Sequence, residues 1–222
     1  MGIAIAVFIY VCSVTMLILT RVNTVSWGQV FFKCLSSFLF IVLWLIAITR
    51  KEPLIFDFLV LASLVFYMGG DIILVVFRTK RGFITGMAAF MTGNIIIITG
   101  LVLSTGIVVI DLAVLIFLMI IAAVSLGFRR LDFGGNGIFI IIYIFIICTM
   151  VTKSITILKF QDLKNIIVTG FFALGALLYG VSDIVLANNK FKYQDSRWMS
   201  PLNLALYYSG IGLIAVFSTM LY

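Results

Sequence analysis

Histidine is absent from this chain of 222 residues. That single absence excludes Ser-His and Cys-His nucleophilic pairs, His-ligated zinc and histidine proton relays. It also excludes the histidine-zinc type of membrane lipid hydrolase. Acid is scarce too, with 8 Asp and Glu against 15 Lys and Arg, for a net charge of +7. The 2 prolines both fall at the starts of apolar runs, so no run is broken internally by proline. The 3 cysteines, Cys12, Cys34 and Cys148, lie inside apolar runs without C-x-x-C spacing. They read as small core hydrophobes, not as a disulfide framework or a metal site. Neither a metal nor a cofactor is expected.

What the chain has in abundance is hydrocarbon. Hydrophobic residues make up 64% of it and the mean hydropathy is +1.31, whereas a soluble domain is about half apolar. Such a composition cannot be wrapped around one water-facing core, so the solvent must be lipid. The basic residues sit almost entirely in short gaps between apolar runs, the pattern of membrane loops. No basic face or aromatic platform is long enough to hold a nucleic acid strand. The first segment, Met1 to Thr20, has no basic start and is long enough to span, so it reads as a helix and not as a cleaved signal.

A span needs about 20 apolar residues. The runs lie at 2–20, 27–49, 53–77, 82–104, 107–128, 138–158, 165–189 and 201–222. The expected fold is therefore all-α: a polytopic membrane protein, a bundle of eight transmembrane helices forming one domain over 1–222. Asp132-Phe133-Gly134-Gly135-Asn136-Gly137 is the clearest loop. Ser200-Pro201 reads as the N-cap and first turn of the last helix.

Loop charge sets orientation. Arg21, Arg78, Lys80, Arg81, Arg129, Arg130, Lys190, Lys192 and Arg197 fall on one side, and Arg50, Lys51, Lys159 and Lys164 on the other. The richer side, with the Arg78–Arg81 and Lys190–Arg197 loops, is expected to be cytoplasmic and both termini outside. The expected location is a bacterial cell membrane.

Within this frame two stretches match. Tyr67-Met68-Gly69-Gly70-Asp71-Ile72-Ile73-Leu74 and Tyr179-Gly180-Val181-Ser182-Asp183-Ile184-Val185-Leu186 both read Tyr, spacers, a small residue, Asp, Ile, aliphatic, Leu. Each Asp precedes a basic residue, Arg78 or Lys190, by two turns of helix. An ionisable residue inside an apolar span is expensive and signals function by default. At 1.5 Å per residue, Asp71, Asp183, Lys33, Tyr207 and Tyr208 all fall about 10 Å below the cytoplasmic boundary. Asn94 lies nearer the midplane. Asp57 and Asp111 fall near the outer boundary and read as interfacial. The direct spacing of the two motifs is what a parallel duplication would give, with repeat halves 1–106 and 107–222.

Two carboxylates held close in a low-dielectric layer cannot both ionise cheaply, so a protonated acid beside a carboxylate is the expected state. Such a pair can protonate a substrate and then hydrate the cation produced. Gly69, Gly70 and Ser182 would allow close approach of helices or substrate. Lys33 could neutralise one carboxylate or hold a phosphate. The competing structural reading is a buried ion-pair knot that only fixes helix register.

Gly69-Gly70-Asp71-Ile72-Ile73-Leu74, and the run from Gly175 through Ser182-Asp183 to Asn188-Asn189-Lys190-Phe191, resemble the YhhN/lysoplasmalogenase family of multi-pass membrane proteins. Lys33 stands where that family has an early intramembrane lysine. Phe83, Gly86 and Phe90 resemble its next motif, and Tyr207-Tyr208 its final one. Asn94 stands where the family often has His, and Ile211 where it often has Gln. The resemblance implies an eight-helix hydrolase that cleaves the vinyl ether bond of lysoplasmalogens to a fatty aldehyde and a glycerophospho-base. Asp71 and Asp183 would be catalytic. Lys33, Asn94, Ser182, Asn189, Lys190, Tyr207 and Tyr208 would contact substrate. The partners expected are a lysophospholipid and membrane lipid, with no obligate protein partner. The rival reading from the same residues is a proton-coupled transporter or lipid carrier.

Overall fold

The structure, a computed structural model, describes residues 2–23, 26–49, 51–77, 79–127, 137–160, 165–191 and 198–221. It is all helical: α1 (Gly2–Val22), α2 (Ser26–Ile48), α3 (Ile55–Val76), α4 (Lys80–Thr105), α5 (Val109–Leu126), α6 (Gly137–Thr156), α7 (Ile166–Phe191) and α8 (Met199–Phe217). A 3-10 turn over Ile157–Phe160 extends α6, and another over Ser218–Met220 ends α8. All eight helices are long and apolar enough to cross a membrane, as expected from the sequence. In hydrocarbon a backbone must satisfy its own hydrogen bonds, which is why each apolar run becomes one uninterrupted helix. Most of the expected 132–137 loop, and Arg50, Arg78, Arg129, Arg130, Lys164, Lys192 and Arg197, lie outside the described residues.

The helix ends are set by local polar chemistry. The Thr79 hydroxyl accepts the Gly82 N–H at 3.0 Å and starts α4. The Leu54 N–H donates to the Asp57 carboxylate at 2.8 Å, and the Val108 N–H donates to Asp111 at 2.8 Å. Each acid thus caps its own helix from the first turn, where a negative charge also suits the helix dipole. Neither stands in water. Asp57 pairs with Lys51 at 2.9 Å, and Asp111 pairs with Lys153 at 3.1 Å. Thr156 donates to Asp111 at 2.6 Å, and Lys153 also donates to the Gly106 carbonyl at 2.7 Å. The first turn of α5 is therefore fastened to the end of α6. Gly106 permits the tight turn into α5 with φ +67°, where other residues are strained.

One expected boundary needs correction. Ser200 is not the N-cap of α8. That helix starts at Met199, with Trp198 at the cap position and no side-chain cap. Ser200 already lies in the first turn, and its hydroxyl accepts from Arg21 Nε at 2.7 Å. The contact ties α8 to the end of α1.

Packing follows a pattern shared by the two halves. α3 lies on α4 and α7 on α8, α2 on α3 and α6 on α7, α2 on α8 and α6 on α4. Small residues make the tightest crossings. A Cβ on Gly175 would stand 2.8 Å from the Gly210 carbonyl oxygen, and one on Gly70 would stand 2.8 Å from the Phe90 ring. Gly69, by contrast, faces open space. The halves differ in their first helices. α1 packs on α2 and α8, whereas α5 packs on α6 and α7 and stands off from α4. The space this leaves beside α4 and α5 belongs to the site.

Candidate active site

Asp71 sits late in α3 and is 2% exposed. Its Oδ1 pairs with Lys33 Nζ of α2 at 3.2 Å. Its Oδ2 accepts from Ser37 at 2.7 Å, from Tyr207 at 2.9 Å and from Tyr208 at 3.4 Å. Lys33 and Ser37 are one turn apart on α2, so both face α3. The Lys33 carbonyl, 3.3 Å from the Tyr208 hydroxyl, is an alternative acceptor for its one proton, and Tyr10 of α1 donates to the Tyr208 carbonyl at 2.6 Å. Four helices are thus knotted around one carboxylate. Both its oxygens are engaged and its charge is matched by an ammonium group, the arrangement that makes a buried charge tolerable.

A second layer of polar groups lies beside the first. Tyr67, one turn before Asp71, donates to Asn94 Oδ1 of α4 at 2.6 Å. Asn94 in turn donates to the Tyr179 hydroxyl of α7 at 3.2 Å. The ring centroids of Tyr67 and Tyr179 are 5.5 Å apart, and those of Tyr179 and Tyr207 are 5.8 Å apart. The two motif tyrosines therefore meet in the bundle centre. Among the described residues no hydrogen bond joins Asp71 to Asp183. A run of tyrosines connects them: Tyr207 on Asp71, Tyr179 on Tyr207, and Asp183 one turn beyond Tyr179. The two acids expected as a pair are thus also linked through tyrosines.

Asp183 has different surroundings. Its Oδ2 accepts from the Tyr143 hydroxyl of α6 at 3.0 Å. It also lines a cavity of about 250 Å³ walled by α4, α5, α6 and α7, with Leu74 of α3 at its margin. Phe83, Met87 and Phe90 supply the α4 wall, and Leu118, Ile121, Ala122 and Leu126 the α5 wall. Among the described lining residues Asp183 is the only carboxyl, and Tyr143 and Cys148 are the other polar ones. The lining residues Ile121 of α5 and Val181 of α7 are 40% and 45% exposed, so these two walls are thin. Among the described residues, no cluster of three or more Asp, Glu and Cys could hold a metal ion.

The YhhN family model matches residues 28–217, most of the chain. The chain belongs to the YhhN family. No curated protein and no solved structure matches it. At the two positions where this YhhN chain departs from the resemblance, Asn94 is fully buried between the two tyrosines and Ile211 is fully buried in the apolar core.

The residues expected at the site divide into groups. Asp71, Lys33, Tyr207 and Tyr208 meet in the ion-paired knot. Asn94 bridges the tyrosine layer. Asp183 alone of the expected residues lines the cavity. The Ser182 hydroxyl is turned back onto the Tyr179 carbonyl at 2.7 Å, while Asn203 of α8 takes the Ser182 carbonyl at 2.7 Å. Asn189 is 4% exposed with its Oδ1 unpartnered, and Lys190 is exposed at the end of α7. Ser37, Tyr143 and Tyr10 were not expected. Tyr143 carried a signal, as the one hydroxyl in the otherwise apolar run Ile138–Cys148. Ser37 sits one turn after Lys33, the spacing that places it on the same face.

Proposed function

We propose that this protein hydrolyses the vinyl ether bond of lysoplasmalogens, with Asp183 as the acid. The observation that carries the reading is the position of Asp183, the only carboxyl among the described residues that wall an apolar cavity. The resemblance of the motifs to lysoplasmalogenases supports the substrate class, and membership of the YhhN family is consistent with it.

The cavity takes the alkenyl chain, and the glycerophospho head stays toward the Lys190 end of α7, where an exposed ammonium suits a phosphate. Asp183 then gives its proton to the β-carbon of the vinyl ether. The π electrons form the new C–H bond, and the α-carbon becomes an oxocarbenium ion stabilised by the ether oxygen. Water adds to that carbon and loses a proton to the Asp183 carboxylate, which restores the acid. The hemiacetal collapses to a fatty aldehyde and a free glycerol hydroxyl. One water is consumed and no redox partner is needed. Tyr143 holds one oxygen of Asp183. Asp71 does not line the cavity and is engaged by Lys33, Ser37 and two tyrosines. Its role is positioning: it fixes Tyr207, and through that ring the Tyr179 layer beside Asp183.

The test uses purified protein in detergent, alkenyl lysophospholipid and heavy water. The expected product is an aldehyde carrying one deuterium on the carbon next to the carbonyl, because the proton comes from an exchangeable acid. Absence of aldehyde from folded protein would overturn the reading. Uptake of lysolipid into proteoliposomes without product would favour a carrier instead.

A further inference from the structure

The cavity has one wall unlike the others. α5 is the least embedded helix: its buried residues are Asp111, Ala122 and Leu126. Two of these, Ala122 and Leu126, face the cavity, and the third fastens the helix end to α6 through Lys153 and Thr156. Along the cavity face of α5 the side chains are Leu118, Ile121, Ala122 and Leu126, so Ala122 is the one small residue in a bulky row. It is 2% exposed, which leaves extra atoms at that position no route to lipid without moving the helix. The Asp111 fastening opposes such a movement. The other small lining residues have separate reasons to be small or lie elsewhere. Gly180 packs closely on α6, where a Cβ would stand 3.0 Å from a Val151 methyl. Ala187 lies one turn beyond Asp183, toward the Lys190 end of α7.

We propose that Ala122 is the specificity-determining residue of the cavity: it sets the girth of the hydrocarbon chain that the α5 wall admits. A straight chain passes Ala122, whereas a chain branched at that level does not. This inference rests on the reading of the cavity as the chain site, and it is independent of the hydrolysis chemistry.

Cys148 lines the same cavity and serves as the reporter. In protein with Cys12→Ser and Cys34→Ser, maleimide labelling of Cys148 is followed with increasing amounts of a lysophospholipid bearing a saturated alkyl ether chain. Lacking the vinyl ether, this probe binds without turnover. The straight-chain probe is expected to protect Cys148. With Ala122→Phe the concentration for half protection should rise about tenfold or more, since a close-packed wall cannot absorb the added ring. Leu112→Phe, which adds bulk on the lipid face of the same helix, should leave it unchanged. Ala122→Gly should improve protection by a methyl-branched probe relative to the straight one. Ala122→Leu replaces the Phe variant if that one fails a thermal melt. Equal protection of wild type and the bulky variant would overturn the proposal, and so would no protection of wild type. Protection that depends on residue 122, with no aldehyde from the wild type on alkenyl substrate, would refute the hydrolysis while leaving this inference standing.

Discussion

The two aspartates occupy the same motif on α3 and α7, yet their surroundings are opposite. Asp71 has a lysine and three hydroxyls on its oxygens, is 2% exposed and is not among the residues lining the cavity. Asp183 has the Tyr143 and Tyr179 hydroxyls and an apolar cavity at its face. A short motif therefore fixes depth and helix position, while the neighbouring helices decide the role. α2 and α8 close over Asp71. α5, standing off from α4, leaves space in front of Asp183. On the proposed function, the first carboxylate holds helices together and the second reacts.

That division can be broken in graded ways. The largest effect is expected from Asp183→Asn, which removes the proposed acid and should lower aldehyde release by about 10²–10⁴-fold, the usual worth of general acid catalysis. Its melting temperature should stay close to wild type, because Asp183 has few polar partners to lose. Lys33→Met comes next. It strands the Asp71 charge in the bundle and should destabilise by about 3–5 kcal/mol, the typical cost of breaking a buried pair from one side. Denaturation in mixed micelles measures this, and little change would mean that the knot is not structural. Tyr143→Phe should lower kcat by about tenfold with KM nearly unchanged, as it loosens the Asp183 carboxyl without narrowing the cavity. A rise in KM alone would assign Tyr143 to binding. The smallest effect belongs to Tyr207→Phe, about 1 kcal/mol of stability, since Asp71 keeps its other partners.

Much of this arrangement was legible before the structure. Apolar run lengths located all eight helices, and helix spacing from the loop charges brought Lys33, Asp71, Tyr207 and Tyr208 to a common layer, where they meet. What sequence could not supply was facing. In lipid a helix is apolar all round, so periodicity does not mark the inner face, and Tyr143 and Ser37 remained hidden among their neighbours. The partners of Asp111 and Asp57 were hidden for another reason. Lys153 and Lys51 are polar residues at helix ends, where charge is ordinary and pairing depends on which helix arrives alongside. The tyrosine contacts between Asp71 and Asp183 depend on which rings meet at the crossings, which the sequence lists without placing. Ser200 was misassigned because a Ser-Pro pair fits an N-cap and a first turn equally well.

The most direct test of the division of labour is the neutral pair Lys33→Met with Asp71→Asn. Removing both charges avoids stranding either one, so the fold should survive. Aldehyde release from alkenyl lysophospholipid, per mole of folded protein, should remain within about tenfold of wild type if Asp71 only positions the tyrosine layer. A loss as deep as that of Asp183→Asn in a folded double variant would show Asp71 to be a reacting group and contradict the account.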